Sequence, residues 1–155
     1  MVLKVFELVS IILSAIVGGM YWGPWLALSR SMATFEPKVF LAIVNQMNRN
    51  MAPLMTVLTP ASLLSIVPIL VISYPEHQET FWLALAGFAL FIVALLVTVI
   101  VEVPIVKQIV TWTTSTLPNN WQQLRDRWML FHIIRVIGGI VGLGFLVAAA
   151  IFSYR

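Results

Sequence analysis

Four stretches of this chain, at about residues 5–28, 53–73, 81–103 and 131–153, are apolar and long, and nothing else in the sequence constrains its fold as tightly. A helix needs ~20 mostly apolar residues to cross the hydrocarbon layer of a bilayer. Lipid offers backbone amides no water, so each crossing must close its hydrogen bonds within itself as a helix. The sequence therefore predicts an all-α fold, an integral membrane four-helix bundle that forms one domain over residues 1–155. Composition agrees, since only 10% of the residues are charged, whereas soluble domains carry about a quarter. The first segment opens like a signal peptide, with Lys4 ahead of an apolar run, but the run continues past Gly19 through MYWGPWLAL and Glu7 interrupts it. It reads as a retained span. The absence of Cys rules out disulfides, thiolate metal sites and cysteine nucleophiles.

The connections are unequal. Residues 29–52 and 104–130 are long and hold most of the polar side chains, while SYPEHQET at 73–80 is a tight acidic turn. Arg30, Lys38, Arg49, Lys107, Arg125 and Arg127 lie in the long connections, against Lys4 and Arg155 at the ends. By the positive-inside rule the long connections face the cytoplasm and both termini face outward, with a bacterial inner membrane the expected location. Basic residues scattered singly near helix ends suit snorkelling to lipid headgroups and give no case for nucleic acid. Within the first connection, Glu36 and Pro37 make a helix start, and Val39, Phe40, Ile43, Val44 and Met47 recur at helical spacing opposite polar side chains. That pattern predicts an interfacial amphipathic helix along the membrane surface. Pro53 suits the start of the second span, and Pro60 and Pro68 are expected to bend it.

Small residues recur every fourth position as Ala15, Gly19 and Gly23, and again as Gly138 and Gly142, which suits close helix packing within the bundle and leaves homodimerisation open. Tyr21, Trp22, Trp25, Trp82 and Trp112 fall near span boundaries, as an aromatic belt does.

The most demanding chemistry lies in WQQLRDRWMLFHIIR, residues 121–135. Asn119 or Asn120, after Pro118, is a good N-cap, so a helical extension should begin near Trp121 and lead into span four. At about 100° per residue, Trp121, Leu124, Arg125, Trp128, His132 and Arg135 share one face, and Gly139 continues it with a gap in place of a side chain. Charge at that depth must turn inward and find partners. Glu102, at the end of span three and before Pro104, is the partner expected for it, and Asn45, Asn48, Arg49 and Asn50 reach the same side. His77 lies in the opposite turn, ~30 Å away, so one chain cannot clamp a haem or metal between its two histidines. Imidazole exchanges protons near neutral pH, arginines stabilise an enolate or phenolate, and tryptophans wall an aromatic ligand. The stripe is thus a candidate site for proton abstraction from a lipophilic aromatic molecule. The alternative is a structural clasp, with Arg135 paired to Glu102 and His132 satisfied in the core.

GMYWGPWLALSRS, FLAIVNQMNRNMAPLM, EVPIVKQI and above all NNWQQLRDRWMLFHIIR resemble the anthrone oxygenase-like family of small four-span membrane proteins, over nearly the whole chain. The resemblance implies a four-helix bundle and oxygenation of a polycyclic phenolic ketone whose carbanion itself reduces O2. It would make His132 the base or a polarising donor, Arg125 and Arg135 stabilisers of negative charge, and Trp121 and Trp128 substrate walls. By their placement on the same side, Glu102 joins the expected catalytic set and Asn45, Asn48 and Arg49 the expected substrate-binding one. No metal and no cofactor is expected, although a bound quinone, or a haem held by His132 from one chain or two, stays open. The expected partners are membrane lipids and a lipophilic small molecule. A competing reading is a non-catalytic subunit of a larger membrane complex, a homo-oligomeric scaffold or a lipid-binding protein. A transporter fits less well, because four spans show no internal repeat.

Overall fold

The computed structural model describes residues 2–153. Among them there are helices and no strand: α1 (Val2–Ala27), a 3-10 turn (Ser29–Thr34), α2 (Pro37–Ser73), α3 (Gln78–Val97), a π-turn (Thr98–Glu102), α4 (Val103–Ile109) and α5 (Trp121–Phe152). Four segments, Val2–Thr34, Pro37–Ser73, Gln78–Ile109 and Trp121–Phe152, are long and apolar enough to cross a membrane. The long helices pack in a ring, α1 on α2, α2 on α3, α3 on α5 and α5 on α1. The start of α1 meets the end of α5, where the Ser153 hydroxyl donates to the Glu7 carboxylate at 3.2 Å. Along the outer face of α2, Val57, Leu64 and Val71 stand 67%, 69% and 68% exposed at seven-residue spacing. Large aliphatic side chains left so bare are what a lipid-facing surface requires, because hydrocarbon costs them nothing.

The amphipathic helix expected between the first two spans is present from Pro37, but it is not a separate surface element. It runs unbroken through Pro53, Pro60 and Pro68 as one helix of 37 residues. The centre of its apolar stripe is buried, with Phe40, Leu41 and Val44 packed against Met32, Ile105, Ile109 and Trp128, while Val39 stays exposed. Burial against these partners draws this stretch into the bundle as an upward continuation of span two.

The small-residue stripes divide. Gly138 and Gly142 are buried in α5, and a Cβ on Gly87 of α3 would come within 2.9 Å of the Gly142 carbonyl oxygen, so these two helices touch through their backbones. Ala15, Gly19 and Gly23 instead face outward, and a Cβ at either glycine would meet open space. Their expected role in packing the bundle is therefore incorrect. The reason lies on the other side of α1, where Glu7, Ser10 and Ser14 take the buried face. Polar groups in lipid cost several kcal/mol each when unsatisfied, so they set the rotation of the helix, and Ser14 shares a 2.9 Å hydrogen bond with Ser62 across the α1–α2 seam.

Two apolar cores result. One holds Val17, Leu63, Ile66, Phe91, Val136 and Leu146 within the ring. The other joins Met32, Phe40, Val44, Ile105, Ile109 and Trp128 at the end that carries the long connections. A layer of buried polar side chains lies between them, and the site is built there.

Candidate functional site

The geometry starts from Pro104. Proline has no N–H, so the carbonyl of Ile100 has no donor four residues on; α2 keeps its α-helical course past Pro53, Pro60 and Pro68, whereas the chain before Pro104 leaves it. The chain shifts to i→i+5 bonding, with the Val103 N–H donating to the Thr98 carbonyl. Such a turn acts as a one-residue insertion and is often found at functional sites. It places Thr98 and Glu102 side by side toward the bundle interior.

On α5, His132 and Arg135 are three residues apart and meet this pair. Glu102 and His132 are 3% and 2% exposed. Arg135 forms a salt bridge to Glu102 through Nη1, and the same nitrogen donates to the Thr98 hydroxyl at 3.2 Å. Its Nη2 donates to Nδ1 of His132 at 2.8 Å. From α1, the ring of Tyr21 lies under the guanidinium, 4.5 Å from its carbon to the ring centroid. Tyr21 was expected in an aromatic belt at the boundary, and that expectation is corrected: the side chain is 1% exposed and interior. Gly139 makes room for it, since a Cβ there would stand 3.0 Å from the ring. The gap in the α5 stripe is the seat of the tyrosine.

With Arg135 donating to Nδ1, the neutral imidazole carries its proton on Nε2. Glu102 Oε1 stands 3.5 Å from the same Nδ1 and is its alternative partner. When Nδ1 holds the proton it points at the carboxylate, and Nε2 becomes a free base. The 2.8 Å contact with Arg135 holds the Nε2-protonated tautomer, and the other one needs Nη2 of Arg135 to swing off Nδ1 so that Glu102 can accept from it. Four buried polar atoms of this cluster lack a hydrogen-bond partner: the Tyr21 hydroxyl, Glu102 Oε1, His132 Nε2 and Arg135 Nε. Each such atom costs about 1–3 kcal/mol if nothing satisfies it.

All four residues line a single cavity of about 540 Å3, a size that suits a drug-sized molecule. Its walls are otherwise largely apolar. Met20, Met47, Met51 and Met55 supply adaptable, polarisable surface, and Trp128 closes one side. The Trp128 and His132 ring centroids are 6.1 Å apart.

The remaining residues singled out in the sequence lie elsewhere. Arg125 is buried but turned from the cavity, pairing with Asp126 at 2.8 Å and lying over the Trp121 ring at 5.2 Å. Trp121 packs on Phe40 with centroids 5.5 Å apart. Asn48 lines the cavity at its rim. Asn45 donates to the Leu41 carbonyl within its own helix, and Arg49 is exposed. Helix α5 starts at Trp121 with Asn120 as N-cap, yet the asparagine side chain makes no capping bond. Among the described residues, no three His, Cys, Asp or Glu side chains gather into a metal site.

Compared with known proteins, the chain matches the anthrone oxygenase family over residues 5–147. It belongs to that family. No curated protein and no solved structure is detectably similar to it. In this anthrone oxygenase family member the cavity brings the imidazole of His132 together with the guanidinium of Arg135 and the phenol of Tyr21 inside apolar walls. By sequence, Tyr21 falls in the aromatic belt and Met47 in the amphipathic stripe, and neither these two nor Thr98, Met20, Met51 and Met55 belong to the expected site. Thr98 lies four residues before Glu102, and Tyr21 follows Glu7, Ser10 and Ser14 at helical spacing, so a polar-face plot of α1 and α3 was the signal that held them.

Proposed function

We propose that this anthrone oxygenase family member oxidises a lipophilic phenolic or quinone-like molecule in the cavity beside Glu102, His132 and Arg135. One observation carries the reading: the four residues that hold these unpartnered buried polar atoms all line one apolar cavity. The Tyr21 O–H and Arg135 Nε–H are donors suited to an enolate or phenolate oxygen, and Nε2 of His132 is the base once Glu102 holds the other tautomer. His132 takes a proton from a CH2 activated by a neighbouring carbonyl and aromatic rings. The carbanion passes electrons to O2, a C–O bond forms, and the peroxide accepts the proton. Loss of the second C–H proton breaks the O–O bond and releases water, so CH2 and O2 become C=O and H2O. No resident cofactor enters this scheme, and the protein would sit in a bacterial inner membrane with the long connections in the cytoplasm.

The experiment is O2 uptake by purified protein in lipid vesicles with a panel of phenolic ketones, anthrone included. A positioned general base contributes about 10²–10⁴-fold. His132→Ala should therefore lose about two orders of magnitude or more in turnover while eluting and melting like a folded protein. A panel that leaves wild-type O2 consumption at background sinks the reading. One observation favours a second reading, a non-catalytic subunit: Ala15, Gly19 and Gly23 present a small-residue stripe outward, as helix–helix contacts between chains do. Obligate co-purification with another subunit, together with an inert cavity, would support it.

A further inference from the structure

We propose that the cavity is reached sideways, from the bilayer, through a window between α2 and the π-turn, and that its ligand is an uncharged planar lipophile dissolved in the membrane. This inference rests on the reading of the cavity as a site for such a molecule.

The window is visible in where the ring is closed and where it parts. The π-turn packs on α3, α4 and α5 but has hardly any contact with α2. On one side of that gap Leu63 and Ile66 of α2 belong to the core shared with Phe91 and Ala94 of α3. On the other, Phe40, Leu41 and Val44 meet Ile105 and Ile109. Between these two seals, Ala52, Thr56 and Pro60 from α2 and Val99 and Val103 from the facing segment line the cavity and are at the same time exposed. A cavity wall built of exposed residues marks an opening.

The outer surface at this level belongs to segments that are long and apolar enough to lie in a membrane, so the opening faces hydrocarbon. On α2 the edge from Asn48 to Pro60 rises about 18 Å at 1.5 Å per residue, tall enough for a planar molecule to pass edge-on. Apart from the Thr56 hydroxyl, the middle of the frame is hydrocarbon, with Ala52, Val99 and Val103 at its edges. A charged ligand would lose its hydration there without compensation. Charge and amide lie at the outer end, where Lys107 and Asn48 line the cavity, and the partnerless polar atoms lie within. An uncharged molecule with one acidic C–H or O–H group therefore crosses the frame and meets its complement inside. O2, itself apolar, takes the same path.

Thr56 and Val99 are exposed, so enlarging them fills the window without repacking a core. The test measures binding of 1-aminoanthracene, a fluorescent planar lipophile, added to phosphatidylcholine vesicles that hold the full chain. Thr56→Trp and Val99→Trp should each slow association from the membrane by about tenfold or more. His132→Ala should leave that rate alone and weaken the bound state. The natural absence of Cys permits a second readout, a nitroxide on Thr56→Cys, which should be relaxed by O2 far more than by a water-soluble nickel chelate. Binding by wild type that is equally fast in both tryptophan variants overturns the window and leaves the cavity reading standing. Greater relaxation by the nickel chelate overturns it as well. Failure of wild type to bind the probe at all removes both.

Discussion

Arg135 is held on every side, by Glu102, by Nδ1 of His132, by the Thr98 hydroxyl and by the face of Tyr21. Removing one member of a buried ion pair strands the other, which costs about 3–5 kcal/mol. Arg135→Ala and Glu102→Ala should each lower stability by about that amount, read by denaturant titration in mixed micelles. His132→Ala should cost clearly less, because its Nε2 already lacks a partner. Equal losses for all three would mean that the histidine is as much a part of the clasp as the ion pair. At this scale the sequence was informative where charge was concerned. Glu102, His132 and Arg135 are costly in lipid, so their spacing and side of the membrane sufficed to bring them together. Arg125 shows the limit, since a neighbouring Asp126 offered it a partner nearer the water and drew it from the stripe. Tyr21 was unreadable as interior because tyrosine at a span boundary suits the interface equally well. Only the space left at Gly139 decides where it goes.

Among the elements, the π-turn carries the most consequence. Pro104→Ala restores the donor that an α-helix needs, so the turn should relax and rotate Thr98 and Glu102 relative to α5. The expected result is weaker binding in the cavity with little loss of helicity, checked by 1-aminoanthracene titration beside circular dichroism. Unchanged binding would show that the turn persists for another reason. The α3–α5 seam makes a second demand. Gly87→Ala drives a methyl against the Gly142 carbonyl, and overpacking costs about 1–3 kcal/mol. Gly19→Ala, facing open space, should change monomer stability little, and a thermal-melt comparison in detergent separates the two. Spans and their helical character could be read from apolar length alone. The π-turn could not, since Pro after EV is compatible with a kink, a break or a wide turn. The unbroken run of α2 was equally hidden, because an amphipathic stripe looks the same whether it meets headgroups or a second protein core.

Across the whole molecule, the arrangement is two apolar cores parted by a polar layer, with the cavity opening beside that layer. Such a layer weakens the bundle unless something satisfies it, which ties the stability of the fold to the occupancy of the site. Membership of the anthrone oxygenase family fits a lipophilic substrate taken from the bilayer. The most direct test is native mass spectrometry, with an optical spectrum, of the chain gently extracted from its own membranes. A bound planar aromatic or quinone-like molecule, present with wild type and depleted in the Arg135→Lys and His132→Ala proteins, is the predicted result. An empty chain, or one found only with partner subunits and bearing no small molecule, would contradict it and leave Glu102, His132 and Arg135 as a clasp in a scaffold.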